Sequence, residues 1–212
     1  ELVTNDAVVD INTMDKTVRS HSGRVESYDV LVLATGSSCF MPPIEGSEKQ
    51  GVFLYRTIED LDAMIHYASN CKRAAVLGGG LLGLEAAKAL LDLNLEAHVV
   101  EFAPKLMARQ LDDAGAQVLK RKIEAMGVGV HLSKSTQEIM GGSCVSGLRF
   151  ADESVLDVEM LVVSAGILPN DGLARLIGLQ VGHRGGVVVD EHMQTSNSDI
   201  YAIGECALFG GM

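Results

Sequence analysis

The spacing of apolar and polar positions changes three times along the chain. Val8, Val9 and Ile11 precede a turn at Asp15-Lys16, and residues 17–20 precede a second turn at Ser22-Gly23 before Val25 to Tyr28. Short alternating runs between turn residues predict an antiparallel meander. Val30-Leu31-Val32-Leu33-Ala34 is an unbroken apolar run. It predicts a strand buried on both faces, as in a parallel sheet. The run stops at Thr35-Gly36-Ser37, and Met41-Pro42-Pro43 reads as a linker, because proline lacks the donor a helix or central strand needs.

From Ile44 to Ala165 the pattern alternates between strand and helix. Thr57 and Asp60 form a capping-box variant, opening a helix with Ile58, Leu61, Ile65 and Ala68 on its predicted apolar face. Residues 74–77 read as a strand, 81–93 as a helix and 97–101 as the next strand. A helix over 112–126 follows, with Val118, Leu119, Ile123 and Met126 as its apolar positions and Gly127 as its stop. Residues 128–132 begin another strand. A meander is predicted over 136–158, and residues 160–165 form a second fully apolar strand. Beyond Gly166, the spacing predicts a short helix at 172–177, a turn at Gly185-Gly186 leading into Val187-Val188-Val189, and a last strand at 200–203. Glu1 already lies within a strand-like pattern, and the chain stops at Phe209-Gly210-Gly211-Met212. Both ends therefore read as cuts in a longer protein.

Composition narrows the partners. The 212 residues carry a formal net charge of −11, which argues against a nucleic-acid footprint of clustered Lys and Arg. No uncharged apolar run reaches the ~18 residues of a membrane helix. Cys39, Cys71, Cys144 and Cys206 make no C-x-x-C pair and no zinc spacing, so they read as reduced thiols in small apolar positions and the protein as cytoplasmic. Glycine is in excess: 23 of 212 residues, against a usual ~7%.

The glycines concentrate where chemistry is expected. Gly78, Gly80 and Gly83 form G-x-G-x-x-G between a predicted strand and a predicted helix, and Glu101 ends the next strand 18 residues after Gly83. That is the context of a dinucleotide fingerprint. The first glycine permits the turn, the second lets a pyrophosphate approach, and the third lets helix and strand pack. The amides of Leu81 and Leu82 then belong to the helix N-terminus that receives the phosphates. Glu101 accepts from ribose hydroxyls and repels a 2′-phosphate, and Phe102-Ala103-Pro104 follows without Arg. Lys105 is the nearby cation. NADH is predicted over NADPH. Glu85, in the first turn of the helix, reads either as a contact to the nicotinamide or a flavin-side partner, or as a favourable charge at a helix N-terminus.

Four ordered stretches resemble FAD-dependent pyridine nucleotide–disulfide oxidoreductases: Asp29 to Ser37 (DVLVLATGS), the G-x-G-x-x-G, Ser164 to Asn170 (SAGILPN) and Ile200 to Glu205 (IYAIGE). The wording of Gly80 to Ala87, His98 to Met107, Arg109 to Gly115 and Tyr201 to Ala207 is similar, more narrowly, to the large subunits of assimilatory NAD(P)H nitrite reductases. The resemblance implies an α/β fold. A Rossmann-like NADH-binding domain with a β-meander (44–165) would be flanked by partial FAD-binding segments (1–43 and 166–212). It also implies a cytoplasmic enzyme passing electrons from NADH through FAD to iron–sulfur and sirohaem centres outside these residues, where nitrite becomes ammonia. Thr35 and Gly36 match the motif against FAD. Gly204 and Glu205 match a Gly-Asp pair on the flavin ribityl chain, with Glu in place of Asp. Gly166 matches a backbone position near the nicotinamide.

No second G-x-G-x-x-G precedes Thr35, and no C-x-x-x-x-C redox pair is present. The alternatives are a rubredoxin or ferredoxin reductase, an NADH oxidase, or an inactive nucleotide-binding fragment. No side chain is assigned as a catalytic acid, base or nucleophile. Apolar faces on 187–189 and 200–203 are expected to lie uncovered, which favours a homo-oligomer.

Overall fold

The computed structural model describes residues 1–210; Gly211 and Met212, the end of the last predicted segment, lie outside it. The chain divides into two compact units, one of Glu1–Ser38 with residues from Ile167 onward, the other of Cys39–Gly166.

The first unit begins with an antiparallel sheet of β1 (Val8–Asn12), β2 (Thr17–Ser20) and β3 (Val25–Ser27). β4 (Leu31–Leu33) and β5 (Ser37–Cys39) follow. The predicted double-sided burial of the Val30–Ala34 run is not observed: Leu33 is buried, but Val30 and Val32 are 57% and 51% exposed. The sheet around β4 has two strands, and among the described residues only its Leu33 side is covered by an apolar cluster, so alternate side chains point away from that cluster.

The second unit is built on a parallel sheet. β6 (Val52–Leu54), β7 (Arg73–Leu77), β8 (Glu96–Val100), β9 (Gly129–His131) and β13 (Met160–Val163) stand in the order β6-β13-β7-β8-β9. Helices α1 (Ile58–Ala68), α2 (Leu81–Asp92) and α3 (Asp113–Ala125) connect them, and β10 (Thr136–Met140), β11 (Gly147–Phe150) and β12 (Val155–Leu156) form the expected antiparallel meander.

β7 shows why both faces are covered. Ala74 and Val76 pack with Ala86, Ala87 and Leu90 of α2 and with Met64 of α1. Ala75 and Leu77 pack with Ile139, Leu148 and Phe150 of the meander. Period-two alternation sends successive residues to opposite layers, which is why both must be apolar.

The helices differ from expectation in rotation. The capping box of α1 forms as predicted: Asp60 N–H donates to Thr57 Oγ1 at 3.1 Å, and Thr57 N–H to the Asp60 carboxylate at 2.9 Å. Of the predicted face Ala68 is buried, but its buried partner is Met64, while Ile58 and Ile65 are exposed. In α3, Ala116 is buried and Leu119 and Ile123 pack inward, but Val118 and Met126 are exposed. Several residues in each helix satisfy the apolar period, and the sheet beneath selects which stripe is used.

The first unit is completed by β14 (Ile167–Pro169), α4 (Gly172–Leu176), β15 (Val187–Val188), β16 (Ile200–Ala202) and β17 (Ala207–Leu208). β16 pairs in parallel with β4, Ile200 opposite Leu31 and Ala202 opposite Leu33. The uncovered faces expected here are largely absent. Val187, Val189, Ile200 and Ala202 are buried with Leu33, Ile11 and Ala174, and the exposed apolar residue of this stretch is Ile203. α4 and β1 supply the cover.

Candidate nucleotide-binding site

β7 ends at Leu77 and the chain must reverse into α2, which packs on the same strand. Gly78 makes the turn with φ +121°, and a Cβ there would sit 2.2 Å from the Ser164 carbonyl oxygen. Its N–H donates to the Val100 carbonyl at 2.8 Å, tying the turn to the end of β8. A Cβ on Gly83 would sit 2.0 Å from the Gly78 carbonyl oxygen, so the helix lies against its own incoming turn. Gly80 differs: nothing lies within 4 Å of where its Cβ would be. Two glycines are therefore filled by protein, and the middle one faces open space.

Gly80 is also the N-cap of α2, with no side-chain cap bond and no acidic residue in the first turn. The first N–H groups of a helix lack intrahelical partners, and the dipole leaves partial positive charge there. Leu81 and Leu82 are exposed beside this end. A bare helix N-terminus with an open glycine backbone fits a dinucleotide pyrophosphate.

Glu101 follows β8 and is half-buried. One carboxylate oxygen accepts from Gly79 N–H at 2.5 Å and the other from Ala103 N–H at 2.7 Å. The acid thus braces the glycine turn itself. Each oxygen has a second lone pair, which leaves acceptor capacity for ribose hydroxyls. Gly166 lies at the same C-terminal edge of the sheet, two residues past Ser164, and its carbonyl accepts from Phe40 N–H at 2.9 Å. Its backbone is exposed, with nothing within 4 Å of a would-be Cβ. Glu85 is exposed rather than buried among its apolar neighbours, because its position in α2 faces away from the sheet.

The remaining candidates belong to the first unit. Thr35 Oγ1 donates to the Asn170 carbonyl at 2.6 Å, and Asn170 Nδ2 donates to the Thr35 carbonyl at 2.9 Å. Asn170 N–H reaches the Gly36 carbonyl at 2.9 Å, and Ser38 Oγ reaches Asn170 Oδ1 at 2.6 Å. Ser37 Oγ donates to Glu205 at 2.7 Å, with Gly204 immediately before it. Gly36 and Gly204 both have positive φ and open space at the Cβ position. Asn170 and Ser37 were not singled out from sequence; the local signal for Asn170 is its place at the end of the SAGILPN stretch. Among the described residues no group of three or more His, Cys, Asp or Glu is placed to hold a metal, and no disulfide forms. Cys206 is buried as expected for a small apolar residue, but Cys144 is exposed on the meander.

The family model for pyridine nucleotide-disulphide oxidoreductases matches residues 1–212, and the chain belongs to that family. It is 53% identical over 209 residues to the nitrite reductase (NADH) large subunit of Escherichia coli strain K12, covering 98% of this chain and 25% of that protein. It is 43% identical over 212 residues to the nitrite reductase [NAD(P)H] of Bacillus subtilis strain 168, covering 100% of this chain and 26% of that protein. Among solved structures, a ferredoxin reductase for the CYP199A2 system from Rhodopseudomonas palustris superposes with a TM-score of 0.93 at 31% identity, over 99% of this chain and 51% of that one. The chain thus spans about a quarter of the length of these two nitrite reductases. No helix among the described residues is long and apolar enough to cross a membrane.

Proposed function

We propose that this chain is the NADH-binding and flavin-reducing portion of an assimilatory nitrite reductase large subunit. Its hydride transfer would feed reduction of nitrite to ammonia at iron–sulfur and sirohaem centres elsewhere in a longer cytoplasmic protein. The observation that carries the reading is the glycine turn: an open Gly80 at an uncapped helix N-terminus, with Glu101 bonded to Gly79 beside it. Similarity across nearly the whole chain to nitrite reductase large subunits supports the choice within the family.

When bound, the nicotinamide supplies a hydride and the flavin accepts it. This chain's residues do the holding. The amides of Leu81, Leu82 and Gly83 receive the pyrophosphate, Glu101 accepts from the adenosine ribose, and the Gly166 backbone leaves room for the nicotinamide. Thr35, Gly36, Gly204 and Glu205 fit the edge of a flavin nucleotide, with open backbones and an oriented carboxylate. Glu85, exposed in the second turn of α2, is assigned to the nicotinamide end of the dinucleotide. The charge of −11 supports a protein without a nucleic-acid partner. The exposed Val30 and Val32 support self-association of the chain.

Titration calorimetry of the chain with NADH, NADPH and FAD tests the reading. NADH should bind, NADPH more weakly, and FAD little or not at all. Equal or tighter binding of NADPH, or no binding of NADH, overturns it.

A further inference from the structure

Cofactor choice in such a site is set at the adenosine ribose. A carboxylate there repels a 2′-phosphate, and a cation there accommodates it. Glu101 supplies the carboxylate, but lysines lie on the same segments. The loop after Glu101 folds back over the glycine turn: Met107 N–H donates to the Gly79 carbonyl at 2.9 Å, and buried Leu106 comes within 2.7 Å of where a Gly79 Cβ would sit. Lys105, immediately before Leu106, is therefore carried alongside the turn.

Its ammonium is engaged elsewhere. Lys105 Nζ lies 2.8 Å from Asp113, the first residue of α3. Asp113 is not the cap of that helix; Asp112 is, accepting from Gly115 N–H at 2.8 Å. The hydrogen bond from Lys105 holds the Asp113 carboxyl below its usual value, so it is charged at neutral pH. The second lysine, Lys134, donates its backbone N–H to the Glu101 carbonyl at 3.0 Å. Its ammonium is held by Asp152 at 2.5 Å and Ser154 at 2.7 Å, over the Phe150 ring. Each lysine attached to the Glu101 segment is thus neutralised by an acid outside the glycine turn.

We propose that Asp113 is a specificity-determining residue: by pairing with Lys105 it withholds a cation from the ribose position, so a 2′-phosphorylated adenosine meets Glu101 uncompensated. This rests on the reading of the glycine turn as the NADH site. The pair is exposed, and exposed pairs are weak, so the effect is bounded at about five-fold in relative affinity. Arg109, further along the loop, makes no ion pair among the described residues and is the competing cation.

Titration calorimetry with 5′-AMP and 2′,5′-ADP tests the proposal on the wild-type chain and three variants: Asp113→Ala, Asp113→Asn, and Asp113→Ala with Lys105→Gln. Thermal melting checks that each variant folds, and Asp113→Asn, which keeps the side-chain size, serves where alanine does not fold. Removing the Asp113 charge should tighten 2′,5′-ADP about five-fold while leaving 5′-AMP unchanged. The gain should vanish in the double variant and at high salt. An unchanged ratio overturns the proposal, as does a gain that survives Lys105→Gln, which would assign it to Arg109 instead. Failure of the wild-type chain to bind either NADH or 5′-AMP removes the site and the proposal with it, whereas a flat ratio with intact NADH binding removes the proposal alone.

Discussion

The Glu101 carboxylate accepts a 2.5 Å hydrogen bond from the backbone N–H of Gly79, the residue between the first two glycines of the turn. One side chain therefore braces the loop and, in the proposed function, also accepts from the ribose. Glu101→Gln keeps the shape but loses the charge and presents an N–H₂ where Gly79 or Ala103 donates. A hydrogen bond to a charged group contributes about 1.5–3 kcal/mol, so NADH affinity should fall roughly 10-fold or more, and NADPH affinity should fall less. Calorimetry with both nucleotides checks it; an equal loss for the two would show that Glu101 acts on the loop alone.

Gly78 and Gly80 should respond oppositely to alanine. At Gly78 the new Cβ meets the Ser164 carbonyl and the backbone has φ +121°, so Gly78→Ala should destabilise the chain by about 2–4 kcal/mol. At Gly80 the Cβ has open space and the N-cap φ is −83°. Gly80→Ala should leave stability within about 1 kcal/mol while weakening NADH at least several-fold, because the methyl stands where the pyrophosphate approaches. Denaturant midpoints and NADH titrations separate the two effects.

His98 on β8 and His131 on β9 lie with ring nitrogens 3.2 Å apart. The absence of a side chain on Gly129 makes room, since a Cβ there would be 2.3 Å from His98 Nδ1. Burial pushes both imidazoles below their ordinary value of 6.5, and for His131 the neighbouring His98 and Lys134 act in the same direction. The folded state therefore binds fewer protons than the unfolded state below about pH 6.5. Stability should be complete above that pH and decline as pH falls through it. Asp6 and Asp152, held down at about 2, do not titrate in this window. Melting temperatures between pH 7.5 and 5.5 should fall with acidification, and the slope should flatten in His131→Gln.

Asn170 joins Thr35, Gly36 and Ser38 through four hydrogen bonds. Asn170→Ala removes the two that use its side chain, at about 1 kcal/mol each in an exposed setting. The first unit should lose about 1–2 kcal/mol, and amide exchange should rise at Gly36 and Ser37. Unchanged protection at those amides would show that the backbone bonds alone hold this corner.

The parts of the protein set by local rules were legible in its sequence. The strand–turn–helix at Gly78 to Gly83, the Thr57 cap, the Gly127 stop and the 136–158 meander each depend on residues close in the chain, where turn chemistry and side-chain period act directly. Tertiary structure decided the rest. Which stripe of α1 and α3 is buried depends on the sheet beneath, so Ile58 and Val118 are exposed while Met64 and Ala116 are not. Val30 and Val32 lie bare because a strand's burial depends on what packs over each face, which no run of apolar letters encodes. The hydrogen bond from Gly79 to Glu101 and the pairing of Lys105 with Asp113 bring together side chains and backbone from separate elements. Motif spacing assigned an acid and a nearby lysine to one glycine turn; only the fold determined that the acid braces it and that the lysine is held by another acid.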